Sequence, residues 1–528
     1  MRKLIVKGKE LTALKYLPGE SAPEQNAAKE LERYLEKIAG ITADGEFPVV
    51  LKTADDIARD GFKVEVSGDG ITILGGGGSG VIHGVYEFLE HYAGVRFFTP
   101  TLETYGIGDI LVDEDYAFTP VFEYRQSDWQ CGNDIMWSLK NGINNRPIPE
   151  EWGGYIRYGV FVHTMQHFLG IPQHEQPCLS DPENLKKVIA GVRGILAKDP
   201  GCTIISVSQN DCQNYCKCEK CAAVDAEEGS HMGTLLRFVN AVADDIREDY
   251  PNVIIDTLAY QYTRNVPKIT KPRENVCIRL CSIECCFCHP LDDITCEQNR
   301  RFFEDIVDWN KICDRIYIWD YVTDFAHYVP TFPNFHVLRE NMQFFAKHHV
   351  RGMYPEGAHN APVSGEFAEL RAYLLARLMW DPYMSSVKYH KYMDEFLAAY
   401  YGEGWRNIRA YIDLMSSFTQ ERHMGIFEKP FNYLDETKVA AMEDTIDAWW
   451  DKSEELAGDR LDYVKRSRIQ WRWMKLEMHP DAEEGRKLYA ECAARNIKWN
   501  EWRVIEADRV NFGLKPSVWA DSSMWQMG

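Results

Sequence analysis

The stretch that decides the fold is Thr203–Cys221, TIISVSQNDCQNYCKCEKC. Five strand-forming residues, Thr203 to Val207, run into the polar loop Ser208-Gln209-Asn210-Asp211, and cysteines follow at 212, 216, 218 and 221. A helical pattern begins near Met232 and reaches Asp249, with Leu235, Phe238, Val239, Val242 and Ile246 on one face. A strand that ends in an amide and a carboxylate and then feeds a crossover helix is the repeating unit of a parallel β/α protein. In such chains the carboxyl ends of the strands form the rim where ligands sit.

Working outward, the same order recurs. Strand patterns occur at Val121–Arg125, Val160–Thr164, Ile254–Tyr260, Val276–Ile283, Ile316–Trp319 and Gly352–Tyr354, and Ile426–Phe431 is the candidate for an eighth. Strands separated mainly by helical patterns predict an α/β chain with a (β/α)8 TIM-type catalytic barrel over residues 116–365. Residues 1–115 read as a small α/β domain. It has strands near Leu4–Val6, Val49–Leu51, Phe62–Val66, Ile71–Leu74 and Val95–Phe98, and helices over Glu24–Ile38 and Val81–Tyr92. Residues 366–528 read as a helical C-terminal region, with helices over Glu366–Trp380, Val387–Tyr400, Trp405–Thr419, Asp435–Ala457 and Asp459–Met478. Trp449, Trp450, Trp471 and Trp473 are expected to form its core.

One motif invites a different function. Gly75, Gly77 and Gly80 match G-x-G-x-x-G between a strand and a helix. Four consecutive glycines satisfy almost any glycine pattern, and the preceding strands lie too close together for an opening βαβ unit. A tight strand-to-helix turn is the expectation, and no cofactor is required.

Bulk properties narrow the partners. A net charge of −21 leaves no basic excess to neutralise phosphates, which argues against nucleic acid. No apolar run is long enough to span a bilayer. The N-terminal MRKLIVKGKELTALKY has no apolar h-region, so a cytoplasmic location is expected unless the chain is a processed form of a secreted protein. Fifteen cysteines in 528 residues are not the framework of a small secreted scaffold. The oligomeric state is not legible.

The predicted strand ends carry the chemistry. Arg125 closes the first and His163 lies in the second. Asn210-Asp211 follow the third, and Tyr260 ends the fourth. Glu284 follows the fifth within CSIECCFCHP, Trp319-Asp320-Tyr321 end the sixth, and Glu356 follows the seventh. Acids, an amide, tyrosines and a tryptophan converging on one rim are the equipment of glycosidic bond hydrolysis: one carboxyl protonates the leaving oxygen, and aromatic faces stack on sugar rings. Separately, Cys216, Cys218 and Cys221 form C-x-C-x2-C with Cys212 upstream, and four thiolates could close a tetrahedral structural zinc site.

Several motifs together carry a family resemblance. AAKELERYLEKIAG (27–40) and GVIHGVYEFLEHYAGVRFFTP (80–100) resemble the small domain that precedes the barrel in family 20 hexosaminidases and family 67 α-glucuronidases. SVSQND (206–211), YCKCEKC (215–221), CSIECCFCHPL (281–291), IWDY (318–321) and LMWDP (378–382) resemble the bacterial domain of unknown function 4838. That domain is associated with glycoside hydrolase family 163, described as endo-β-N-acetylglucosaminidases on N-glycans. The resemblance implies a retaining glycosidase acting on a glycan beside N-acetylglucosamine, with the substrate's acetamido carbonyl as nucleophile. On this sequence Asp211, with Asn210, fits the group that orients the acetamido. Strand-end position makes Glu284 the expected acid/base and Glu356 its rival. Tyr260 and Trp319 are expected to stack on sugar and His163 to bond a hydroxyl, with Arg125, Asp320 and Tyr321 also at the substrate. Two alternatives stay open: an exo-acting hexosaminidase-like or α-glucuronidase-like enzyme, and a non-catalytic carbohydrate-binding protein on a decayed barrel.

Overall fold

The computed structural model describes residues 2–358, 363–419, 421–502 and 506–519. The chain packs into two compact units, 1–155 with 369–402 and 156–368 with 403–528. The chain thus leaves the first unit and returns to it, rather than dividing into three consecutive segments at 115 and 365. Among the described residues no helix is long and apolar enough to cross a membrane.

The first unit holds a five-stranded sheet in the order Tyr116–Phe118, Phe62–Val66, Ile71–Gly75, Pro48–Thr53, Lys15–Pro18. The helices Ala22–Ala39 and Gly80–Ala93 pack on it. Local chemistry sets the bounds of the first helix. Ser21 and Glu24 form a reciprocal capping box, and Gly40 ends the helix in the left-handed region at φ 67°. The glycine run is the tight turn expected: a Cβ on Gly75 would lie 1.9 Å from the backbone nitrogen of Val81, so glycine is needed for the strand to meet the helix.

The second unit is built on a parallel sheet. Its strands run in the order Val350–Glu356, Ile316–Tyr321, Val276–Cys281, Ile254–Ala259, Ile204–Ser206. Every residue of Val276–Cys281 is buried, as expected of a strand covered on both faces. The helix His231–Ile246, capped by Ser230, packs on Ile254–Ala259, and the helix Phe335–Lys347 packs on Val350–Glu356.

A closed eight-stranded barrel is not found among the described residues, and three expected strands change character. Val121–Arg125 shortens to Tyr124–Arg125. Ile426–Phe431 is a turn that leads into the short helix Pro430–Tyr433. Val160–Thr164 does not form a regular strand, although its backbone tracks the edge of the sheet. Ser206 N donates to Val160 O at 3.1 Å and Thr164 N to Ser208 O at 3.1 Å. Regular pairing breaks at His163, whose φ of 56° turns the chain.

Of the expected helices after residue 403, Trp405–Thr419 and Asp459–Met478 are found as Trp405–Ser417 and Leu461–Met478, 435–457 divides into Glu436–Ala441 and Glu443–Leu456, and Ala482–Ala494 is a further helix that sequence reasoning missed. Trp450, Trp471 and Trp473 are fully buried, as a helical core requires, while Trp449 is only partly covered.

Candidate active site

Paired residues of neighbouring parallel strands put their side chains on the same face, and successive residues alternate. The register therefore sorts every strand-end residue. Leu258 pairs with Arg279 and Arg279 with Tyr317. Cys281 pairs with Trp319 and Trp319 with Tyr354, while Tyr321 pairs with Glu356. One face thus carries Asp256, Leu258 and Tyr260; Arg279, Cys281 and Ile283; Tyr317, Trp319 and Tyr321; and Gly352, Tyr354 and Glu356.

The lower layer of that face is a closed polar knot. Arg279 Nε donates to Asp256 Oδ2 at 3.1 Å, and both side chains are fully buried. Tyr158 Oη donates to the same Asp256 oxygen at 2.8 Å, and the guanidinium lies 5.2 Å from the Phe161 ring centroid. Tyr317 fits beside it because residue 352 is glycine, where a Cβ would meet the Tyr317 ring at 2.6 Å.

Above this floor opens a cleft of about 220 Å³, lined by His163, Asp211, Tyr260, Cys281, Trp319, Tyr321, Phe325, Glu356, Phe427 and Trp502 among others. Glu356 is nearly buried, and the indole Nε1 of Trp319 donates to its Oε2 at 2.8 Å. Asp211 accepts from the Tyr260 hydroxyl at 3.1 Å, and Gln261 donates to that hydroxyl at 2.8 Å. Burial, reinforced by Asp211, pushes the Tyr260 phenol far above its ordinary range, so it remains a neutral donor. Burial likewise holds Tyr321 and the Cys281 thiol protonated. His163 is fixed twice: its backbone N donates to Ser208 Oγ at 2.9 Å, and its Nδ1 lies 2.9 Å from Gln209 O. A carbonyl only accepts, so Nδ1 carries a proton and donates it to Gln209 O. Trp319 and Tyr321 lie nearly parallel, 17° apart, with centroids separated by 6.3 Å.

Adjacent residues of opposite parity leave the cleft. Glu284, next to Ile283, is 46% exposed and accepts from Arg264 Nη1 at 2.9 Å; Arg264 also holds Asp305 at 2.6 Å. Asp320, next to Trp319, is buried on the opposite face and accepts from Ser282 Oγ at 2.7 Å. Burial pushes its carboxyl up to about 6, against the opposing effect of Ser282 and the Tyr321 amide. Asn210 is consumed by its own loops, with Oδ1 accepting from Gln166 N and Nδ2 donating to Pro172 O and Glu175 O. Arg125 belongs to the first unit and is 1% exposed, its guanidinium on Asp60 Oδ2 at 2.7 Å and on backbone carbonyls. A buried arginine so engaged has no donor to offer a sugar, which corrects the expectation that it sits at the substrate. Phe427 lies in the segment expected as an eighth strand but was not singled out, and sequence reasoning missed Glu501 and Trp502, which also line the cleft and come from near the end of the chain, where no pattern points to it.

The cysteines form two groups. Cys178, Cys216, Cys218 and Cys221 bring their sulfurs within 4.8 Å of one another. Cys178 thus takes the fourth place that the sequence assigned to Cys212, because the loop before the helix Pro182–Lys198 folds onto the cysteine loop. In the second group Cys286 lies with Cys288 and His289, and also with Cys296 and His423. These residues are on the loop after Val276–Cys281 and on the segment it meets, where Phe287 N donates to Met424 O.

A parallel β/α unit with a carboxylate-bearing aromatic cleft at its strand ends is the class that fold and site define. Residues 97–413 match the family model described as a domain of unknown function, DUF4838; this covers more than half of the chain, which therefore belongs to that family. No curated protein matches. Among solved structures, the chain is similar to a family GH115 4-O-methyl-α-glucuronidase with specificity for decorated arabinogalactans, at 12% identity and a TM-score of 0.55 over 96% of this chain and 79% of that one. It also matches CpGH84B (10% identity, TM-score 0.48, 92% of this chain and 94% of that one). A third match is a GH20 exo-β-N-acetylglucosaminidase from Vibrio harveyi (10% identity, TM-score 0.40, 80% and 75%). At such identity the GH115 likeness speaks for the fold alone.

Proposed function

We propose that the protein is a glycoside hydrolase that cleaves a bond next to N-acetylglucosamine, with Glu356 as acid/base and Asp211 as the carboxylate that orients the 2-acetamido group. The observation that carries this is the shared cleft: Glu356 and Asp211 line one cavity whose walls are Trp319, Tyr260, Tyr321, Phe427 and Trp502. In the reaction the acetamido carbonyl oxygen attacks the anomeric carbon while Glu356 protonates the departing oxygen. Asp211, held by Tyr260, accepts from the acetamido N–H and favours the positive charge that develops there. Glu356, now a carboxylate, takes a proton from the water that opens the cyclic intermediate, and configuration is retained. Glu356 is preferred to Glu284 because alternation along the strand sends Glu284 to Arg264, away from the cleft.

The charge of the cleft favours this sugar over a uronate. Among the described lining residues there is no lysine or arginine to pair with a substrate carboxylate. Endo action follows from the family resemblance. Mass spectrometry of an N-glycosylated protein after incubation with the enzyme tests the proposal. Release of intact glycans that leaves one N-acetylglucosamine on the protein is expected, with no release by Glu356→Gln. Release of single terminal sugars would overturn endo action, and glycan binding without turnover by the wild type would make it a binding protein.

A further inference from the structure

We infer that Cys178, Cys216, Cys218 and Cys221 bind a structural zinc ion that clamps the loop carrying Asp211 to the 172–178 loop. Sulfurs around tetrahedral zinc lie about 3.8 Å apart, which follows from a Zn–S bond of about 2.3 Å. Cys178 Sγ is 3.7 Å from Cys218 Sγ and 3.8 Å from Cys221 Sγ. These separations are far beyond a disulfide bond of about 2.05 Å. Four thiolates fill all four positions and leave none for a water, which is the pattern of a structural rather than a catalytic site.

The surroundings suit anionic sulfur. Cys218 is the N-cap of the helix Glu219–Glu228, and its Sγ accepts from the backbone N of Cys221 at 3.5 Å. Ser180 Oγ lies 3.2 Å from Cys221 Sγ. The backbone that delivers Cys178 is also fixed, since Asn184 Nδ2 donates to Cys178 O at 3.0 Å.

The clamp has a mechanical consequence. Just before Cys178, Gln176 Nε2 donates to Asn210 O at 2.7 Å and to Cys212 O at 2.8 Å. Asn210 N returns a bond to Gln176 Oε1 at 3.1 Å, and Asn210 Nδ2 donates to Glu175 O. Asp211 is therefore flanked on both sides by residues tied to the 172–178 loop, and zinc closes that tie covalently on the far side. This assignment does not depend on the reaction proposed above.

The test uses the full chain reconstituted with zinc sulfate and desalted. Cys178→Ser/Cys216→Ser is expected to retain one equivalent of zinc fewer than wild type, and Cys212→Ser to retain the full amount. In zinc-loaded wild type, Cys218 is expected to resist iodoacetamide despite its exposure and to react once a chelator strips the metal. Hydrogen exchange should rise at 172–180 and 208–218 in the stripped protein. Equal zinc in the double variant and wild type would overturn the proposal. So would equal alkylation of Cys218 with and without zinc, or a disulfide among the four cysteines. The alkylation is read on wild type, so it decides even if the double variant fails to fold.

Discussion

The two faces of the parallel sheet use similar acids for different ends. On the inner face, Glu356 accepts from the Trp319 indole N–H and lines a cleft, and Asp211 accepts from a neutral phenol. On the outer face, Glu284 meets a guanidinium and Asp320 is sealed against a serine hydroxyl. A carboxyl that lines the cleft can reach a substrate, whereas one turned to a cation on the outer face or sealed in the core cannot. A carboxylate at a strand end thus becomes a candidate for catalysis through the face it occupies.

The sharpest way to break this comparison is to exchange the roles of the two glutamates. Glu356→Gln is expected to lower kcat/KM on a glycan substrate by about 10²–10⁴-fold, the usual worth of a general acid/base. Glu284→Gln should stay within a few-fold of wild type. The reverse order would return Glu284 to the acid/base role. The next effect is on folding: Arg279→Met leaves the fully buried Asp256 without its cation and is expected to cost about 3–5 kcal/mol in urea unfolding.

Asp320 sharpens the comparison through pH. Its folded carboxyl sits at about 6 against an ordinary 3.8. Raised in the fold, it contributes stability that is fully present below about pH 4 and is lost as pH rises through about 6. Asp320→Asn cannot titrate, so its stability should fall less than wild type's between pH 4 and 6, by on the order of 1–3 kcal/mol. Parallel pH profiles for the two proteins would show that Asp320 is not the group involved. The smallest effect is expected for the stability of Glu284→Gln. The exposed half of its ion pair with Arg264 is worth about 0–1 kcal/mol, measured by the same denaturant titration.

Much of this arrangement is legible in the sequence. Thr203–Val207 followed by Asn210-Asp211 reads as a strand and a ligand-bearing loop, and Ile204–Ser206 is that strand. Phe62–Val66 falls where its alternation places it, and the helix expected over Glu24–Ile38 is found as Ala22–Ala39. Val160–Thr164 misleads because its β-branched and aromatic composition favours strand, while the left-handed turn at His163 is imposed by bonds to Ser208 and Gln209 from a distant part of the chain.

What the sequence by itself determined is the order of strand, polar loop and helix, the acids and aromatic residues at the strand ends, and the cysteine-rich loop; all of these rest on local propensity and spacing. Which acids share the cleft was decided only by tertiary structure. Strands such as Val276–Cys281 are buried at every position on both faces, so burial and alternation alone do not reveal which parity faces the helices and which the cleft. The same holds for the cysteine group, where Cys178 joins Cys216, Cys218 and Cys221 through a loop contact that no sequence spacing encodes.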